Sequence, residues 1–273
     1  MNYRHAYHAG NFADCFKHAL LVALLDTFAR KPAPYFVLDT HAGTGWYNLD
    51  ADEARRTTEA DMGIRRLLRQ RPAPVLGRYL QLVQQLGPYP GSPALIRAVM
   101  RESDRLVCVE LHPQDCKALK RRFHADPQVE VHMRSGWEAL SALLPPTEKR
   151  GLVFIDPPFE SPDDYFSLAE GLRRGHGRFG HGVFAAWYPI KQMAAVRTLH
   201  AILRSFCIRD IVAVEFHLRD TTNPERLNGC GLVVINAPYQ FDDQARSIAD
   251  AILEGLGENE PGAGSAVVRL ADE

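Results

Sequence analysis

The run Asp156-Pro157-Pro158-Phe159 closes an apolar segment, Gly151 to Ile155 (GLVFI), and carries the sharpest chemistry in the chain. Two prolines hold the backbone extended and remove two N–H donors, which leaves carbonyl oxygens free to accept. A carboxylate beside such carbonyls makes a rigid acceptor site. An amine on a planar base, held by the Asp156 carboxylate and the Pro157 carbonyl, would have its lone pair turned out of the ring plane toward an electrophile, with Phe159 stacked on the ring. An exocyclic amine is so weakly basic that positioning and hydrogen bonding, not a strong base, supply most of the catalysis. The plain alternative is a Pro-Pro turn after a buried strand.

A second motif, Leu38-Asp39-Thr40-His41-Ala42-Gly43-Thr44-Gly45, follows the first apolar run. Its glycines allow a tight turn and a close backbone approach to a ligand. The full G-x-G-x-x-G of dinucleotide sites is absent, and a strand-to-helix turn explains D-x-x-x-G-x-G equally well. Glu110 ends the next apolar run, where a carboxylate can accept both hydroxyls of a ribose; alone it reads as a solvent-facing strand end. Together the two features indicate a nucleoside-type cofactor.

The elements that must position these residues are read from hydropathy. Short runs rich in β-branched and aromatic residues fall at Tyr35 to Leu38, Leu106 to Glu110, Val129 to His132, Leu152 to Ile155, Gly182 to Trp187, Ile211 to Phe216 and Leu232 to Ile235, and read as strands. Between several of them lie helical patterns: Ala13 to Arg30, Pro113 to His124, Trp137 to Leu144, Asp164 to Arg174 and Gln192 to Ser205. This alternation predicts an α/β fold with a mostly parallel sheet covered on both faces. The last two runs are joined by a segment without helical pattern, which predicts an antiparallel hairpin at one edge.

The interval from Asp39 to Leu106 is too long for a simple crossover of about 30 residues. Helical patterns at Ala60 to Gln70, Leu76 to Leu86 and Pro93 to Arg101 make residues 47–104 an expected inserted helical subdomain, with 1–46 and 105–273 forming the main domain and 1–31 its amino-terminal motif and helix. Between Met62 and Met100 stand Arg65, Arg66, Arg69, Arg71, Arg78 and Arg97, with Arg101 just beyond, and neither Asp nor Glu. A solvated helix face is one reading of such a run. The absence of acids favours a phosphate-facing surface.

Composition limits the rest. The 273 residues carry 32 Lys+Arg against 33 Asp+Glu, so no global positive field recruits nucleic acid and any such binding must be local. The five cysteines are scattered, with no C-x-x-C pair, which argues against a disulfide framework or a zinc site. No window approaches the roughly 20 apolar residues of a membrane span, and the polar amino end does not resemble a signal peptide. A soluble cytoplasmic protein with no membrane association is therefore expected. His5, His8 and His18 invite a metal reading, but zinc wants four ligands with Cys or carboxylate help and the only nearby thiol, Cys15, sits on a helix beside apolar neighbours, so no metal is expected. Lys17 and His18 begin a helix whose other face (Phe16, Leu20, Leu24) is apolar, so they can face a cleft.

With these residues on the page, a resemblance is plain. D-P-P-F at 156–159, D-T-H-A-G-T-G at 39–45 and V-E-L-H at 109–112 resemble class I S-adenosylmethionine-dependent methyltransferases that modify the amino groups of bases. The amino-terminal Tyr3-Arg4-His5-Ala6-Tyr7-His8-Ala9-Gly10-Asn11, with Ala13-Asp14 and Lys17-His18, resembles the 23S ribosomal RNA adenine-N6 methyltransferases of the RlmJ type. Tyr89 to Pro93, Arg150-Gly151, Trp187 to Pro189 and Gly231 to Asn236 extend the match over nearly the whole chain.

The resemblance implies a Rossmann-like, seven-stranded sheet with one antiparallel strand and an inserted helical subdomain. It implies S-adenosyl-L-methionine contacts at His18, His41, Ser92, Glu110, Ser135, Gly136 and Asp156. It assigns the target base and its strand to Tyr3, His5 and Lys17, beside Pro157 and Phe159, and makes Asp156 the catalytic acceptor. The family's common acid before Gly136 is Ser135 here, so a carboxylate contact to the cofactor adenine is expected to be weakened or replaced. The reaction implied is methyl transfer to N6 of an adenosine in 23S rRNA, in a hairpin or loop where the base can be unstacked, by a monomer. DNA adenine-N6 or rRNA guanine-N2 methylation uses the same motif and is the alternative. A non-catalytic RNA-binding protein is a third reading, which predicts no cofactor affinity.

Overall fold

The computed structural model describes residues 5–70, 73–161, 163–257 and 260–272. After a 3-10 turn at His5–Tyr7, the chain runs through α1 (Phe12–Ala29), β1 (Phe36–Asp39), β2 (Trp46–Tyr47), α2 (Asp52–Thr57), α3 (Glu59–Met62), α4 (Ile64–Arg69), α5 (Gly77–Gln85), β3 (Tyr89–Pro90) and α6 (Ser92–Val99). It continues through β4 (Arg105–Val109), α7 (Pro113–Phe123), β5 (Val129–His132), α8 (Gly136–Ala142), β6 (Gly151–Ile155), α9 (Asp164–Arg178) and β7 (Val183–Ile190). The last part holds α10 (Met193–Ser205), β8 (Ile211–His217), β9 (Gly229–Ile235), α11 (Phe241–Leu256) and β10 (Gly264–Ala271).

The sheet order is β10-β8-β9-β7-β6-β1-β4-β5. Strands β5, β4, β1, β6 and β7 pair in parallel, whereas β9 runs antiparallel to both β7 and β8. The sheet thus has eight strands where seven were expected, and two of them, β9 and β10, run against the rest. β8 and β9 are antiparallel neighbours as predicted, but β10 covers β8 and takes the edge. β10 escapes a hydropathy reading because only Leu270 among its residues is buried. An edge strand with a half-solvated face carries little apolar signal.

Alternating strand residues feed two cores. Val37, Leu106, Cys108, Leu152 and Phe154 face α1, α6 and α11, while Phe36, Leu38, Val107, Val153 and Ile155 face α8, α9 and α10. This period of two, on a sheet buried on both faces, is why these strands read as continuous apolar runs. α1 is buried along most of its length and packs against α6 and α11. Lys17 and His18, only 4% and 2% exposed, face an enclosed cavity from this packed helix and not open solvent.

Residues 47–104 are helical, and their apolar side chains (Ile64, Leu67, Tyr79, Leu80, Leu95) join the same core as α1 and α11. A small two-stranded sheet, Trp46-Tyr47 against Tyr89-Pro90, ties the two ends of this interval together. Among the described residues no helix is long and apolar enough to cross a membrane.

Candidate active site

The sheet reverses its winding between β1 and β6, and ligands of such sheets bind at the carboxyl ends of the strands on either side of that switch. Asp39 ends β1 and lies in register with Phe154 of β6, two residues before Asp156. The Thr40 amide and hydroxyl both donate to the Phe154 carbonyl, at 3.0 and 3.1 Å, and the Ala42 amide donates to Val109 at 2.9 Å. These bonds weld the loop after β1 to the strands on both sides.

Gly43 takes φ +60° in that loop, and a Cβ there would collide with the Tyr47 hydroxyl. Glu110 holds the turn from the next strand, accepting from the Gly43 amide at 2.8 Å and the His112 amide at 2.7 Å. Each carboxylate oxygen thus takes one backbone donor and keeps further lone pairs for a ligand. Gly136, at the start of α8, lies so close to the Thr40 carbonyl and the His41 ring that a Cβ would fill the gap. The loops after β1 and β5 can close together only over a glycine.

A cavity of about 290 Å³ lies between these loops. His18, His41, Ser92, Glu110, Ser135, Gly136 and Asp156 all line it, so the structure brings together every residue expected to contact the cofactor. His18 bonds through Nδ1 to the Tyr89 hydroxyl at 2.9 Å, and burial pushes its pKa down to about 3; desolvation does the same to His41. Two histidines held neutral leave the pocket open to a cationic ligand.

Beneath it, Asp39 is fully buried, and neither carboxylate oxygen makes a hydrogen bond of normal geometry. Burial pushes its pKa up to about 7, against the opposing pull of the Ser92 side chain and the His41 backbone. A buried carboxyl raised this far ionises more readily when positive charge is brought near it. Ser135 lines the cavity and caps α8 without using its hydroxyl on the helix.

The amino-terminal motif is built as a helix start. Asn11 accepts from the Asp14 amide at 2.9 Å while Asp14 accepts from the Gly10 amide at 2.8 Å, a reciprocal cap on α1. Glu59 of α3 accepts from His8 and from Asn11, both at 2.9 Å. His5 meets Asp14 at 3.0 Å and stacks edge-on against Tyr47. Burial would raise the Asp14 pKa, but the charges of His5 and Lys17 outweigh it and hold the carboxyl well below its ordinary range. Asp14 stands in the amino-terminal motif without an expected role, although its Asn-x-x-Asp spacing is a capping signal.

Lys17 bridges Asp14 at 2.8 Å and Asp156 at 2.6 Å. The ammonium is thus held by two carboxylates at the junction of α1 and the acceptor motif. Tyr3 lies outside the described residues. His5, Lys17, Asp156, Pro157 and Pro158 line both the cofactor-side cavity and a second, larger one of about 700 Å³. Phe159 and Trp187 line the second, 5.8 Å apart edge to face. Among the described residues no donor is hydrogen-bonded to the Pro157 carbonyl. Among them, too, no group of three His, Cys, Asp or Glu side chains is arranged to hold a metal ion.

The arginine-rich run is a correction. Arg65 is held by Asp50 at 2.5 Å and Asp61 at 3.0 Å, Arg97 by Asp126 at 2.6 Å and Arg101 by Asp104 at 2.8 Å, and Arg78 lies 3.7 Å from Asp26. Arg66 donates to the Gly257 carbonyl. The acids absent from the run are supplied by segments on either side of it and by remote elements, so these arginines are largely spent on the fold. Arg69 is exposed, and Arg71 lies outside the described residues.

A mostly parallel Rossmann-like sheet with a D-P-P-F motif and a glycine-turned cavity at its switch point is the architecture of a class I methyltransferase. Residues 32–269 match the family described as Ribosomal RNA large subunit methyltransferase D, RlmJ, and the chain belongs to that family. It is 36% identical over 255 residues to Ribosomal RNA large subunit methyltransferase J of Escherichia coli (strain K12), covering 91% of each chain. It is 36% identical over 264 residues to the protein of the same name from Haemophilus influenzae, covering 94% of each. The crystal structure of a protein from Legionella pneumophila superimposes with a TM-score of 0.87 at 32% identity, over 96% of this chain and 98% of that one.

Proposed function

We propose that this chain transfers a methyl group from S-adenosyl-L-methionine to N6 of an adenosine in 23S rRNA, giving N6-methyladenosine. One observation carries the reading: two cavities meet at Asp156, one lined by the Gly43 turn, Glu110 and neutral histidines, the other by Phe159 and Trp187. Glu110 would hold the ribose, Ser135 the adenine side, and Asp39 the charge of the cofactor, which supplies an electrophilic methyl when bound.

Asp156 and the Pro157 carbonyl accept the two N–H groups of the target amine, which aims its lone pair toward the cofactor side. Lys17 holds one Asp156 oxygen and keeps the other for the amine. Phe159 stacks the base, with His5 and Pro157 completing the base side. The proton released as the amine is methylated would pass to the Asp156 carboxylate and on to solvent, and no strong base is needed because the methylated amine is only weakly basic.

The base must leave its stack to reach Asp156, which favours a hairpin or loop. All of these groups come from one chain, consistent with action as a monomer, and residues 47–104 act as an inserted support that seats α1. Five free cysteines fit a reducing cytoplasm. The test is mass spectrometry of nucleosides from 23S rRNA incubated with pure protein and methyl-labelled S-adenosylmethionine. Label in N6-methyladenosine supports the reading, and label in a guanosine product refutes it.

A further inference from the structure

The second cavity opens past Phe159 and Trp187 onto a rim made by the end of β7 and the β8–β9 loop, where Lys191, Arg219 and Arg226 line it. Lys191 and Arg226 are exposed, and among the described residues no carboxylate lies within ion-pair distance of either. Arg219 is bound to Glu260 at 2.9 Å, and Glu225 shares the rim.

Exposed cations on loose loops would mean little, but this rim is fixed. Asn228, fully buried, donates through its backbone to Ile190 at 3.0 Å and through its side chain to the Lys191 carbonyl at 3.0 Å and the Asn223 carbonyl at 2.7 Å. The Arg226 amide closes back on the Asn223 carbonyl at 3.3 Å, and the Glu225 amide on the Asn223 side chain at 3.0 Å. One asparagine therefore pins the backbones that carry both cations to the strand that carries Trp187.

Resting on the function proposed above, we infer that Lys191 and Arg226 bind backbone phosphates of the RNA nucleotides flanking the unstacked adenosine, with Asn228 as the positioning residue. A base stacked on Phe159 in this cavity must bring its own strand across the rim, and exposed cations on a fixed backbone are what a phosphodiester chain needs. The substitute site explains how a nearly neutral protein grips RNA without the arginine run.

The test measures the RNA concentration for half-maximal single-turnover methylation of protein-free 23S rRNA between 50 and 200 mM salt, for the wild type, K191Q/R226Q and R65Q. Each lost phosphate contact on a single strand lowers the log–log salt slope by about 0.7, so the double variant should lose about 1.4 of slope. Over that salt range the wild type should weaken ~7-fold more than the double variant. R65Q should keep the wild-type slope, and S-adenosylhomocysteine should bind K191Q/R226Q as it binds the wild type. K191R/R226K should restore the slope. A wild-type slope in K191Q/R226Q overturns the inference, whereas a wild-type protein that methylates no 23S rRNA overturns the function beneath it.

Discussion

Lys17 Nζ stands 2.6 Å from Asp156 Oδ2, across 139 residues of sequence, and joins the amino-terminal helix to the acceptor motif at the end of β6. The same ammonium lies 2.8 Å from Asp14, whose carboxylate caps α1. The start of the first helix and the reacting carboxylate are therefore one electrostatic unit.

Removing that ammonium leaves two carboxylates facing each other in a buried site. Lys17→Met should cost about 3–5 kcal/mol of stability, as loss of one partner of a buried ion pair does. Denaturant melts of Lys17→Met and Asp14→Asn/Lys17→Met should show the double variant recovering part of the loss, since Asn removes one stranded charge. No recovery would detach Asp14 from the unit.

Asp39 predicts a pH dependence. Its folded pKa, raised from 3.8 to about 7 by burial, means that the protonated form is the one the fold favours. The contribution is fully present below the unfolded value and is lost as pH rises through about 7. Melting temperatures of the ligand-free protein between pH 5 and 8 should fall less steeply in Asp39→Asn than in the wild type. A cationic cofactor favours the ionised form, so the same variant should bind S-adenosylmethionine more weakly at pH 8.

The Glu110 contacts predict a ligand-linked stability. Excess S-adenosylhomocysteine at about 100 times its dissociation constant should stabilise the wild type by about 2.7 kcal/mol. Glu110→Gln should shrink that gain, through loss of charge-assisted acceptance from ribose, while keeping an acceptor for the Gly43 amide. A full gain in Glu110→Gln would move the ribose elsewhere.

Arg65, partly exposed between Asp50 and Asp61, predicts a small structural effect. Arg65→Gln should change stability by no more than about 1 kcal/mol, the range of surface ion pairs. Chemical denaturation checks it, and a larger loss would mean that this bridge holds α4 in place.

Local signals were legible and remote ones were not. The acceptor motif and the Gly43 turn announce themselves because prolines and glycines impose backbone geometry where they stand, and all seven residues expected at the cofactor line one cavity. Asp156 as a partner of Lys17 and the partners of the arginines were invisible, because they come from segments distant in sequence or just outside the run, such as Asp61 beside Met62. Trp187 and the Asn228 rim appear only once β9 is seen lying between β7 and β8. β10 and the two-residue strands β2 and β3 are too short or too solvated to leave a hydropathy pattern.

The central claim is that Asp156 orients an adenosine amine for methyl transfer, and nucleoside mass spectrometry after single-turnover reactions with 23S rRNA tests it most directly. The wild type should yield labelled N6-methyladenosine, and Asp156→Ala should yield almost none while still binding RNA and S-adenosylhomocysteine, the pattern of a contact made in the transition state. Wild-type amounts of N6-methyladenosine from Asp156→Ala would contradict the account.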